Sequence, residues 1–193
     1  MYRRDFVLKT AGVLAAAGLT VTGCTTTRPS TNADPDKRRH EIDNNIDSAL
    51  TRLYTAAPGS RDLVKKAQGV LVFPSVIAAG LWLGGQYGEG ALRMGGASNG
   101  YYSTASASIG FQIGAQSKAI FFLFMTPEAL NKFRDSKGWA VGADASVAML
   151  KIGANGNIDT SSITASVLGF VLTNSGLMAN LTLEGTKVTR LDI

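Results

Sequence analysis

Two side chains able to act as nucleophile or proton carrier near neutral pH occur once each in this chain, Cys24 and His40. A hydrolytic triad sets a histidine beside an activated Ser, Thr or Cys and an orienting acid. His40 instead stands in a charged run, Lys37-Arg38-Arg39-His40-Glu41, and no serine occupies a Gly-x-Ser-x-Gly turn. A zinc site needs several His or Cys ligands, which one of each cannot supply. Four carboxylates remain for acid–base work: Glu89 between Gly88 and Gly90, Asp144, Asp159 and Glu184. Their neighbours read as turns and wet strand faces, with no paired acid and base. The run Gly84-Gly85-Gln86-Tyr87-Gly88-Glu89-Gly90 has the glycines of a phosphate loop without the Gly-x-Gly-x-x-Gly order or a following helix. The expectation is a chain without catalysis, cofactor or metal.

Cationic groups carry a clearer signal. Lys37, Arg38 and Arg39 open a helical stretch, and Lys65 and Lys66 close the next one. Near an anionic membrane each such charge is worth about 1 kcal/mol. The other reading is a solvated start balanced by Asp34, Asp36 and Glu41. Both stay open at this level.

The single cysteine sits at the end of a three-zone leader. Arg3, Arg4 and Lys9 are followed by the modestly apolar Ala11–Val21 and then by Val21-Thr22-Gly23-Cys24. That order is the pattern of an export signal. As a helix the apolar zone would rise about 16 Å, well short of the roughly 30 Å of bilayer hydrocarbon. Arg3-Arg4-Asp5-Phe6-Val7-Leu8-Lys9 resembles a twin-arginine signal, with general export as the other route. Val21-Thr22-Gly23-Cys24 resembles the lipobox of bacterial lipoproteins, in which the leader is removed and the thiol acylated. Residues 1–23 are therefore expected to be cleaved and Cys24 to carry a covalent lipid anchor. Thr25, where inner-membrane retention favours Asp, points to the periplasmic face of the outer membrane. Cleavage would remove Arg3, Arg4, Lys9 and Asp5, lowering the net charge from +5 to about +3. That suits contact with an anionic phospholipid membrane. It falls far short of a nucleic-acid-binding profile, and no aromatic-basic interleaving supports one.

Thr25–Pro35 lacks large apolar residues and carries two prolines, so residues 24–36 read as a lipidated tether and 37–193 as one domain. Ile42, Ile46, Ala49, Leu50, Leu53, Tyr54 and Ala57 recur at three- and four-residue steps, the stripe of an amphipathic helix with Asp36 as its cap. Ser60 would cap a short second helix that buries Leu63, Val64 and Ala67. From Val70 onward, apolar or alternating runs of strand length alternate with Gly, Asn and Ser clusters. Thr126-Pro127-Glu128 starts one inserted helix with Leu130 and Phe133 inward. Ile120–Met125 is apolar throughout, so both its faces are covered. Trp139-Ala140-Val141 through Gly153 reads as one further strand, as does Gly176–Gly185, whose Leu177, Ala179, Leu181 and Leu183 alternate with polar residues. Trp82, Tyr87, Tyr101, Tyr102 and Trp139 are either core and cross-strand partners or residues of an apolar groove or bilayer interface. Many of the 22 glycines fall inside strands, where a sheet bends sharply or another backbone packs close. The expected fold class is α+β: a curved antiparallel sheet or partly closed barrel, with N-terminal helices and one short helix packed on it.

Four stretches then give a family resemblance. They are Lys66-Ala67-Gln68-Gly69-Val70-Leu71-Val72-Phe73-Pro74, Gly84 through Gly90, Ile109-Gly110-Phe111-Gln112-Ile113-Gly114-Ala115-Gln116, and Gly176 through Gly185. The chain from about Leu53 to Leu191 resembles the SYLF family of lipid-binding domains. The resemblance implies phospholipid binding without catalysis, with phosphoinositides favoured by some eukaryotic relatives through a basic N-terminal helix. Gln68 stands where relatives often carry another lysine, which weakens headgroup selectivity. Actin binding, a role of the yeast relatives, is not expected of an envelope protein. The candidate lipid-binding residues are Lys37, Arg38, Arg39, Lys65 and Lys66. The alternative is a structural or interaction protein of the envelope that contacts protein or peptidoglycan. Headgroup and oligomeric state are open.

Overall fold

The computed structural model describes residues 34–80, 83–109, 116–150, 158, 164–174, 176–177, 183 and 185–193. The chain divides into two compact units, Met1–Asn32 and Ala33–Ile193, and every described residue lies in the second. The leader, Cys24, Trp82, Asp159 and Glu184 lie outside the described residues, as does most of the tether.

Helix α1 spans Pro35–Ala56, about 33 Å of axis. Its cap is Asp34, whose Oδ1 accepts a 3.0 Å hydrogen bond from the Asp36 backbone N–H. The helix thus begins two residues ahead of the domain boundary expected at 37. Pro35 is the reason: its fixed φ suits the first helical position, where a missing N–H is harmless. Ile42, Ile46, Ala49 and Leu53 are buried along one stripe, and Leu50 and Tyr54 flank it half-buried. Helix α2 spans Ser60–Lys66. Ser60, expected as its cap, is the first helical residue instead; it is buried with its hydroxyl 3.5 Å from the Leu53 carbonyl, and Gly59 takes the cap position. Leu63 points inward, while Lys65 and Lys66 stay exposed. Helix α3, Pro127–Asp135, follows its sequence signal closely: the Thr126 hydroxyl accepts from the Ala129 N–H, and Leu130 and Phe133 are buried.

Among the described residues, nine strands form one sheet: β1 Gly69–Gly80, β2 Leu83–Met94, β3 Ala97–Ile109, β4 Gln116–Phe124, β5 Trp139–Ala140, β6 Ala148–Met149, β7 Val167–Thr173, β8 Gly176–Leu177 and β9 Lys187–Leu191. Their order is β5-β9-β3-β2-β1-β4-β7-β6, with β8 paired to β7. Every pairing is antiparallel except β6 with β7, so the sheet is mixed where an antiparallel one was expected. The run from Trp139 does not form one strand. It gives two two-residue strands at opposite edges of the sheet, separated by a turn that Asp144 closes by accepting from the Ala140 N–H at 2.7 Å. The strand expected over Gly176–Gly185 is described at β8 and at buried Leu183.

The sheet curls into a half-barrel, and an aromatic contact shows how far. Five strand spacings separate β5 from β4 in the sheet order, about 24 Å if the sheet were flat. Yet the Trp139 ring of β5 lies 5.4 Å from the Phe122 ring of β4. The interior of the curl holds Phe73, Phe122, Phe124, Phe133 and Trp139 in mutual edge or stacked contacts, capped by α3. The other face buries Val70, Val72, Ala91, Phe121, Leu123 and Phe170 under α1 and α2. Residues Ala119–Phe124 are buried on both faces, as their uninterrupted apolar run requires.

Two glycines and a proline accommodate the bend. Between the pairs Val72–Ala91 and Ser75–Glu89, two residues of β1, Phe73 and Pro74, oppose one of β2, Gly90; this is a bulge, where a residue without an N–H is tolerated. The bulge pushes β1 into β2. A Cβ on Gly90 would lie 1.9 Å from the Val72 carbonyl oxygen, and one on Gly88 would lie 2.8 Å from that of Ser75. The alternating glycines of the Gly84–Gly90 motif therefore serve backbone approach.

Candidate functional site

The basic residues singled out by sequence fall into two separate groups with different fates. At the start of α1, Arg38 reaches β2 and grips Glu89 with both arms of its guanidinium, one bond running from Nε to Oε2 at 3.1 Å. Tyr87 adds a third bond by donating its hydroxyl to Glu89 Oε1 at 2.8 Å. Burial alone would raise the Glu89 carboxyl; the bonds from Arg38 and Tyr87 outweigh it and hold the group below the ordinary glutamate range. Tyr87 is pushed up to about 12, by burial first and then by its bond to the Glu89 carboxylate. Arg39 donates to the backbone carbonyl of Ile193 at 2.8 Å and to Asp36 Oδ1 at 2.9 Å. Lys37 is exposed, with Glu41 4.0 Å away.

Further along α1, Asp43 accepts from the Ser98 hydroxyl at 2.6 Å and from the Tyr101 hydroxyl at 3.0 Å, and it lies 3.6 Å from Arg93 Nη2. Arg93 also donates to Asp47 Oδ1 at 3.0 Å and to the Gly96 carbonyl at 2.9 Å. This network bolts the middle of α1 to the β2–β3 hairpin. Sequence reasoning missed Asp43, Asp47 and Arg93. The available signal was the i, i+4 acid pair bordering the Ile42–Ile46 stripe, which a surface helix does not need.

Lys65 and Lys66, by contrast, have no ion-pair or hydrogen-bonding partner among the described residues, and both are exposed. Lys65 belongs to the wall of a cleft of about 410 Å³ between α1, α2 and the β2–β3 turn, and Lys66 follows it in sequence without lining the cleft. Leu50, Tyr54, Val64, Ala67 and Val70 make its apolar side, and Asp47, Lys65, Gln68 and Arg93 its polar side. The Arg61 guanidinium sits 4.5 Å above the Tyr54 ring and fixes it as a wall. Gly95 and Gly96, at φ 58° and 88°, form the tight β2–β3 turn that leaves the mouth open.

The other singled-out residues that are described divide between core and surface. Trp139 and Tyr102 are core residues, Tyr101 is half-buried against Asp43, and Tyr87 is exposed opposite Ile77 on β1. His40 is exposed on α1. Among the described residues no three His, Cys, Asp or Glu side chains converge as a metal cluster, and no helix is long and apolar enough to cross a membrane.

Residues 105–192 match the family described as Ysc84: Las17-binding protein actin regulator, the family of the SYLF motifs. Over that stretch the chain is similar to the SYLF family, in agreement with the resemblance carried by the motifs. The match begins inside β3 and takes in β4 through β9, while β1 and β2, which lie before it, pair at the centre of the same sheet. The sheet that contains the matched strands thus also includes Gly69–Met94, where the Gly84–Gly90 motif and most of the Lys66–Pro74 motif lie. The family description names binding and regulation. No curated protein matches the chain at a significant level.

Proposed function

We propose that the SYLF-like domain binds anionic phospholipid surfaces without catalysis, from a periplasmic position given by a lipid anchor on Cys24. The carrying observation is the pair Lys65 and Lys66, exposed cations left without partners beside an apolar-walled cleft. At about 1 kcal/mol per charge near an anionic surface, two lysines supply about 30-fold in affinity, and Lys37 adds to them. Arg38 and Arg39 contribute less, because their donors are held by Glu89, Asp36 and Ile193. Acyl chains on Cys24 would anchor the chain by themselves, at about 0.8 kcal/mol per buried CH₂. Lipid affinity in the domain therefore serves recognition. Las17 binding and actin regulation, the words of the family description, are not carried over to a chain with an export leader.

Flotation of a chain starting at Thr25 on phosphatidylglycerol–phosphatidylcholine vesicles tests this. The expected result is binding that requires phosphatidylglycerol, weakens with salt, and falls about 30-fold or more in Lys65→Glu/Lys66→Glu. Absence of binding at every lipid composition would favour the envelope interaction protein instead.

A further inference from the structure

We infer that the cleft between α1 and α2 holds the acyl chain of one anionic amphiphile, with its acidic head at Lys65. This rests on the phospholipid reading but goes further, because a surface site needs no interior. The cleft has the volume and lining of a small-molecule site: about 410 Å³, mostly apolar walls and a few convergent polar groups. Those polar groups are unevenly distributed in charge. Arg93 is already committed to Asp43 and Asp47, so its charge is balanced within the protein. Lys65 is not balanced among the described residues, so the unmatched charge at the cleft is a single exposed cation. One positive charge over an apolar groove matches one acidic headgroup over one hydrocarbon chain.

The walls support that orientation. Leu50 and Tyr54 come from α1, Val64 and Ala67 from α2 and its C-cap, and Val70 is the second residue of β1, so three elements enclose the chain. Each is anchored by the core beneath it: Val70 is buried, and Leu50, Val64 and Ala67 pack on the same cluster. The wall is preformed, and little ordering entropy is left to offset chain burial. Gln68 lines the cleft as well, neutral and exposed, on the rim that holds Lys65.

The test uses the chain from Thr25, which retains the whole compact unit Ala33–Ile193, with a dansyl-labelled fatty acid as probe and no vesicles present. The expected result is saturable, blue-shifted emission at one probe per chain. Val64→Trp, which fills the cleft, is expected to weaken the probe about tenfold. Gln68→Lys, which adds a second cation to the rim, is expected to tighten the probe several-fold, a gain that misfolding cannot imitate. Flotation without saturable probe binding would overturn the inference and leave the surface reading standing. Probe binding indifferent to both substitutions would place the amphiphile elsewhere and also overturn it. Loss of flotation and probe binding in the unsubstituted chain would remove the lipid reading itself.

Discussion

Lys37-Arg38-Arg39 and Lys65-Lys66 look alike as charge runs, yet the fold treats them oppositely. The arginines at the head of α1 are turned inward onto Glu89, Asp36 and Ile193, whereas the lysines at the end of α2 face solvent. The difference follows from side-chain chemistry. A guanidinium is a planar fork that matches a carboxylate or carbonyl with two bonds at once, and an ammonium is a hydrated point charge that loses more than it gains when fixed at a surface. Arginine therefore tends to become part of the architecture, and lysine remains available. A basic stretch should be weighed by which cation it contains before it is read as a binding site.

The largest effect expected from this contrast concerns the most buried of the tying arginines. Arg93→Met should destabilise the domain by about 2–3 kcal/mol, because it leaves Asp43 and Asp47 without their shared cation. Thermal melting should register this as a fall of roughly 5–10 °C. Lys65→Glu/Lys66→Glu should leave the melting temperature within about 2 °C, since neither lysine has a partner to lose among the described residues. A large loss of stability there would show that the lysines are structural too.

Glu89→Gln sits between those extremes. It keeps the shape of the Arg38 clasp and removes its charge, with an expected cost of about 1 kcal/mol in denaturant unfolding. The pH dependence sharpens this. Glu89 titrates lower in the folded chain than its unfolded value of 4.5, so its contribution is present above that value and is lost as pH falls through the folded pKa. In Glu89→Gln the acid side of the stability profile should be shallower. Tyr87 gives the opposite limb. Its folded pKa of about 12 lies above the ordinary 10.0, so its contribution is intact below 10 and lost as pH rises toward 12. Tyr87→Phe should flatten that alkaline limb, the smallest effect of the set, checked by melting temperature across pH 9 to about 12.

Much of the architecture could be read directly from residue pattern, and the exceptions have physical causes. The apolar stripe of α1, the Thr126-Pro127-Glu128 start of α3 and the doubly covered Ala119–Phe124 all follow from spacing, because one burial pattern explains each. The run from Trp139 to Met149 misleads because its apolar residues serve two edges of the curl: Trp139 reaches into the aromatic interior, while Met149 pairs beside β7. Periodicity cannot reveal such a split. The cap of α1 shifts from Asp36 to Asp34 because a proline in the first position outweighs the choice between two good capping acids. At the candidate site, Lys65 and Lys66 were visible as a basic spot, but the cleft beside them was not. It arises from α1, α2 and the β2–β3 turn meeting, and the turn residues Gly95 and Gly96 lie roughly thirty positions from the lysines along the chain. Nor could sequence show that Arg38 would find Glu89, fifty-one positions away.

The most direct test of the division between tying arginines and available lysines is one flotation gradient run on two variants. Arg38→Met/Glu89→Met removes the clasp without changing net charge, and Lys65→Glu/Lys66→Glu reverses the free pair. On phosphatidylglycerol vesicles the clasp variant should float like the unsubstituted chain while the lysine variant stays at the bottom. If the lysine variant floats and the clasp variant does not, the membrane-binding charge lies at the head of α1 and the account is contradicted.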